Sequence, residues 1–93
     1  MSIKLFNINF EDFKKSSYNI SKNLGVYTLT CQLEHSVNNN MLCTLTCWCG
    51  DDIIYQLSQI CKNKEDTLKT WFKESIATFD HWWTSYMRET YTE

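Results

Sequence analysis

Residues 26–49 read VYTLTCQLEHSVNNNMLCTLTCWC, and the alternation inside this stretch decides the fold. Tyr27, Leu29, Cys31 and Leu33 alternate with Val26, Thr28, Thr30, Gln32 and Glu34. Farther on, Cys43, Leu45, Cys47 and Cys49 alternate with Leu42, Thr44, Thr46 and Trp48. A period of two with threonine and aromatic enrichment predicts strands. Folding the chain about Asn38 sets Leu33 opposite Cys43, Cys31 opposite Leu45, Leu29 opposite Cys47 and Tyr27 opposite Cys49. On the other face Thr30 meets Thr46 and Thr28 meets Trp48, so like chemistry pairs with like. A slip of one residue would turn the thiol-bearing face toward water, which fixes the register. The reading is a hairpin closed by a Ser36–Asn40 loop.

Upstream, residues 3–8 have the composition of a short strand. Asn9 suits a helix N-cap, with Asp12 three residues on, and Phe10, Phe13, Ser17, Ile20 and Leu24 recur at steps of three and four. That spacing predicts a helix over 10–24, stopped by Gly25. Downstream of Gly50, the apolar positions Ile53, Ile54, Leu57, Ile60 and Cys61 predict a helix over 52–62, with Asp51 or Asp52 at its cap. A final helix over 65–89, capped by Asn63, carries Leu68, Trp71, Phe72, Phe79, Trp82, Trp83 and Tyr86 on one side, flanked by Ile76 and Met87. Thr70, Lys73, Glu74, Ala77, His81, Thr84 and Arg88 lie on the far side. The expected fold is therefore a single small α+β domain over residues 1–93. Its antiparallel hairpin becomes a three-stranded sheet if residues 3–8 join, and it packs against helices at about 10–24, 52–62 and 65–89. The opposite hairpin face, with Thr28, Thr30, Gln32, Thr44, Thr46 and Trp48, is polar enough to meet water.

Composition excludes several classes. The chain is 93 residues long, with nine Lys/Arg against eleven Asp/Glu. That balance supplies no dense positive field for phosphates, so nucleic acid is not an expected partner. No apolar run approaches the ~20 residues of a membrane span, and Asn7, Asn9, Glu11 and Asp12 interrupt any secretory core at the N-terminus. Five cysteines, an odd number, argue against an extracellular disulfide framework and for reduced thiols in a cytoplasmic protein.

Candidate chemistry is sparse. Cys43, Cys47 and Cys49, with Cys31 and His35 across the hairpin, lack the paired knuckles of structural zinc, so no metal and no cofactor are expected. Cys49 precedes a predicted helix start, but neither His35 nor His81 is related to it by spacing, so no nucleophilic site is read. The carboxylate pairs Glu11–Asp12, Asp51–Asp52 and Glu65–Asp66 fall at predicted helix starts, where the dipole accounts for them. What stands out is aromatic bulk: four Trp, five Tyr and five Phe. A two- or three-stranded sheet is a small lid for so many rings, each with roughly 150–250 Å² to bury. The surplus points to contact with another protein through Trp48, Asp51, Asp52, Trp71, Trp82 and Trp83. The function expected is a non-catalytic inhibitor that occludes a partner's basic surface, similar in size and chemistry to toxin-immunity and phage anti-defence proteins. The alternatives are a homodimeric structural or regulatory protein and a small thiol- or metal-dependent one.

Overall fold

The computed structural model describes residues 8–91. A short helix α1 (Phe10–Lys15) is followed by strands β1 (Asn19–Leu24), β2 (Tyr27–His35), β3 (Asn40–Cys49) and β4 (Asp52–Lys62), then by the long helix α2 (Glu65–Tyr91). The strands form one antiparallel sheet in the order β1-β2-β3-β4, each beside its neighbour in sequence. The chain is thus α+β.

The β2–β3 register is the one the alternation predicts, from Tyr27 opposite Cys49 to Leu33 opposite Cys43. Tyr27, Leu29, Cys31, Leu33, Met41, Cys43, Leu45 and Cys47 are all buried on the inner face. Against them α2 lays Leu68, Trp71, Phe72, Ser75, Phe79 and Trp83, all buried, at the three- and four-residue steps of one helical stripe. The far-side residues Thr70, Lys73, Glu74, Ala77, His81, Thr84 and Arg88 are exposed. α1 adds Phe10 and Phe13 to the same core, and Phe13 stacks on Phe72 at 4.6 Å. Lys14 donates to the Glu65 carboxylate at 2.8 Å and ties α1 to the first turn of α2. That hydrogen bond raises the lysine's pKa and lowers the carboxylate's.

Two expected helices are largely strand. The 10–24 segment is helical only to Lys15. Asn9 caps it as expected, accepting from the Asp12 N–H at 2.9 Å, but Ser17 and Tyr18 both take φ +59 and turn the chain back. The Tyr18 N–H donates to the Phe13 carbonyl, and its ring packs edge-on to Phe13 at 5.5 Å, offsetting the left-handed strain. Residues 19–24 then run as β1, with Ile20 and Leu24 half-buried inward and Asn19, Ser21 and Asn23 exposed.

The 52–62 segment is β4, not a helix. Its apolar positions divide between faces: Tyr55, Leu57 and Cys61 stand opposite the inward-facing Cys47, Leu45 and Met41. Ile53 and Ile60 stand opposite Trp48 and Leu42 on the outer face. A bulge at Ile54 absorbs the register shift, and Ile54 packs toward the core. Three β-branched isoleucines and a tyrosine favour this strand. Asn63, expected to cap α2, instead donates to Asn39 at 3.3 Å, while the Lys64 carbonyl accepts from the Leu68 N–H. The strand expected at residues 3–8 lies outside the described residues except at Ile8, which is in no strand.

Both glycines serve two-residue hairpin turns. Gly25 (φ +77) with Val26 joins β1 to β2, and Gly50 (φ +65) with Asp51 joins β3 to β4. A positive φ at the first central residue is the requirement of the type II′ turn, whose twist matches that of the flanking strands. Nothing lies within 4 Å of a Cβ placed at Gly50, so backbone strain alone opposes substitution there. Gly50→Ala is expected to lower stability by about 1–2 kcal/mol in a chemical denaturation series, with an unchanged m-value.

Candidate interaction surface on the open sheet face

Both helices pack on one side of the sheet, so the other side has no covering element among the described residues. Pairing places Asn19, Ser21 and Asn23 of β1 on this face, beside Thr28, Thr30 and Gln32 of β2. Leu42, Thr44, Thr46 and Trp48 of β3 follow, then Ile53, Gln56, Ser58 and Ile60 of β4.

Its centre is a hydrogen-bonded ladder. The Trp48 indole N–H donates to Thr30 Oγ1 at 3.3 Å, the Thr30 hydroxyl donates to the Thr46 carbonyl at 3.5 Å, and Gln56 Nε2 donates to Thr46 Oγ1 at 3.0 Å. Thr46 is buried under these neighbours although no described element lies above the sheet. The ladder holds the indole diagonally across two strands, where an aromatic ring reaches a second neighbour. Trp48 stays half-buried, with one side toward solvent. Beside it are the turn acids Asp51 and Asp52, both exposed, and Ile53 at 50% exposure; Ile60 at 53% lies farther along β4. An anchoring aromatic and apolar residues thus share one side of an open sheet, with Asp51 in the adjoining turn and Asp52, opposite the inward-facing Cys49, at the end of β4.

The remaining tryptophans lie elsewhere. Trp71 and Trp83 are in the core at 5% and 8% exposure, so both rings are spent on packing against the sheet, Trp71 with only an edge at a groove beside β4. Trp83 meets Tyr27 edge-on at 5.1 Å. Trp82 is half-buried between Tyr55 (4.5 Å) and Tyr86 (4.8 Å), stacked on both. The expected excess of unburied rings is therefore corrected: four strands make a wider lid than two or three, and α2 seats its stripe on it. The large exposed apolar side chains are aliphatic, Val26, Val37, Ile53 and Ile60. Of these, Ile53 and Ile60 were not singled out as contact residues from sequence, because a helix over 52–62 leaves them no common sheet face. The signal that could have found them was the Gly50–Asp51 dipeptide between two strand-like runs.

The thiols are inward or flanking side chains. Cys31, Cys43, Cys47 and Cys61 are buried and Cys49 is half-buried, all unbridged. Burial pushes Cys31 and Cys43 up to about 12 and Cys47 up to about 11, far from the thiolate that nucleophiles and metal ligands need. His35 and Cys49 stand at opposite ends of the hairpin, eight register steps or roughly 27 Å apart. Among the described residues no three His, Cys, Asp or Glu side chains are grouped to hold a metal, and no helix is long and apolar enough to cross a membrane. No protein-family model, curated protein or solved structure matches the chain.

A thiol whose pKa is higher folded than unfolded stabilises the fold below the unfolded value. Stability is therefore expected to hold from neutral pH to about pH 9 and to fall as pH rises toward 11–12, followed as the urea midpoint. Under native conditions at pH 8, a thiol reagent should modify Cys49 well before the four buried cysteines, which react only on unfolding.

Proposed function

We propose that this protein is a non-catalytic binding module that inhibits a partner protein by covering its surface. The observation that carries the reading is the sheet face that no described element covers, with Trp48 fixed over Thr30, beside Ile53 and next to the exposed turn acid Asp51 and strand-end Asp52. Four strands at ~4.8 Å spacing and about nine residues at ~3.4 Å give a footprint on the order of 600 Å², near the ~800 Å² per partner of standard interfaces. Sheet faces are rigid, so little ordering entropy opposes docking. A tryptophan beside apolar contacts supplies the anchor, and the paired carboxylates steer the face toward a basic surface. The analogy with toxin-immunity and anti-defence proteins is one of size, acidity and this mode of action.

The test is affinity capture from the source cell, comparing the wild type with Trp48→Ala and with Asp51→Lys/Asp52→Lys. His81→Ala, on the exposed far side of α2, serves as control. A 1:1 protein complex should survive in the control and weaken by about 10–100-fold with Trp48→Ala, the loss of ~2 kcal/mol expected of an interface anchor. The charge-reversed pair should slow association and remove its salt dependence. Capture of nothing by the wild type, or undiminished binding by Trp48→Ala, overturns the reading.

A further inference from the structure

The two edges of the sheet differ. β1 has six residues, with Lys22 in its middle, the short charged form by which soluble proteins blunt an edge. β4 has eleven residues, DIIYQLSQICK, with neither charge nor proline from Ile53 to Cys61. Among the described residues it pairs only with β3, so its outward backbone N–H and C=O groups have no strand partner among them. α2 overhangs this edge without closing it: an open groove runs between Leu57, Ser58 and Gln59 on the strand and Trp71, Glu74 and Thr78 on the helix. The bulge at Ile54 sits near one end, leaving residues 55–62 regular.

The ends of β4 carry opposite charge. Asp51 and Asp52 are exposed at its start, and Lys62 and Lys64 are exposed at its finish. Asp66 lies beyond the lysines, while Glu65 is already held by Lys14. Antiparallel pairing of β4 with itself sets each acidic end against the other copy's basic end, twice over. A parallel or uncharged strand gains nothing of the kind.

We propose that the β4 edge is the interface of a symmetric homodimer in which two sheets join into one of eight strands. This inference is independent of the binding role of the open face. A twofold axis normal to the sheet keeps both α2 helices on one side and requires paired residues to share a face. The register that overlaps the whole strand is centred on Leu57. It sets Leu57 against Leu57 of the partner subunit, and Gln56 against Ser58 of the partner subunit on the outer face. The Ile60 end of each strand then meets the Ile53–Ile54 end of the other, covering apolar side chains that are exposed in the single chain. The two open faces become continuous across the junction.

The register is tested with purified protein alone, by sedimentation equilibrium from ~1 µM to ~1 mM. The wild type should rise from 11.1 kDa to twice that mass. Gln56→Lys/Ser58→Lys places lysine opposite lysine at both cross-strand sites and should remain at the single-chain mass. Gln56→Lys/Ser58→Glu alters the same two positions but sets lysine opposite glutamate, and should dimerise. A wild type that stays monomeric throughout overturns the proposal. So does a dimer that persists in the double-lysine variant, or one lost equally in both variants.

Discussion

The fold rests on the strict two-residue alternation of β2 and β3 about the Asn38 turn. Eight inward positions, Tyr27 to Leu33 and Met41 to Cys47, are apolar and buried, and the intervening residues are mostly polar: threonines, Gln32 and Glu34, with Leu42 and the Trp48 indole among them. A one-residue slip would exchange the two sets and expose eight side chains, several of them worth ~1.5–3 kcal/mol of burial each. With the inner face fixed, α2 has one place to put its stripe. The flanking strands then inherit their faces from the pair they join: Ile20 and Leu24 fall inward because Cys31 and Tyr27 do.

The same constraint leaves the opposite face open. A single long helix and one short one cover one side of a four-stranded sheet, and the remaining side is finished in threonine, serine, asparagine and glutamine. Such residues satisfy one another across strands, as Trp48, Thr30, Thr46 and Gln56 do, so the face is ordered by its own hydrogen bonds. Its apolar groups are confined to Leu42, Trp48, Ile53 and Ile60. An acidic turn adjoins the Trp48–Ile53 corner, which gives the face a polarity from corner to centre.

The central hairpin and the last helix were legible because each repeats its period over many residues. The strands on either side were not, for two physical reasons. Residues 19–24 contain only two apolar inward positions, Ile20 and Leu24, spaced four apart, and that interval suits a helix as well as a strand. In β4 the bulge breaks the alternation at Ile53–Ile54 and leaves an i, i+1, i+4, i+7 pattern that mimics an amphipathic helix. Local punctuation carried the better information: Gly25–Val26 and Gly50–Asp51 are two-residue turns, and reading them as helix boundaries left two or three strands where four form. From that error came the overestimate of unburied aromatic surface. Of the six residues proposed for contact, Trp48 lies on the open face with Asp51 in the adjoining turn, Asp52 is exposed at the end of β4 opposite the inward-facing Cys49, Trp82 is half-buried along α2, and Trp71 and Trp83 are interior.

The tightness of the connections has a kinetic consequence. Every strand pairs with the one just before it, through links of two or four residues, so each closure confines little chain and costs little entropy. The sheet can zip from the middle hairpin outward on the microsecond scale typical of such ribbons. The sequence-distant contact between Phe13 and Phe72 and the Lys14–Glu65 bridge join segments that such zipping cannot bring together. Closure of the molecule therefore awaits the seating of α2, and the order of assembly is written into the length of its loops.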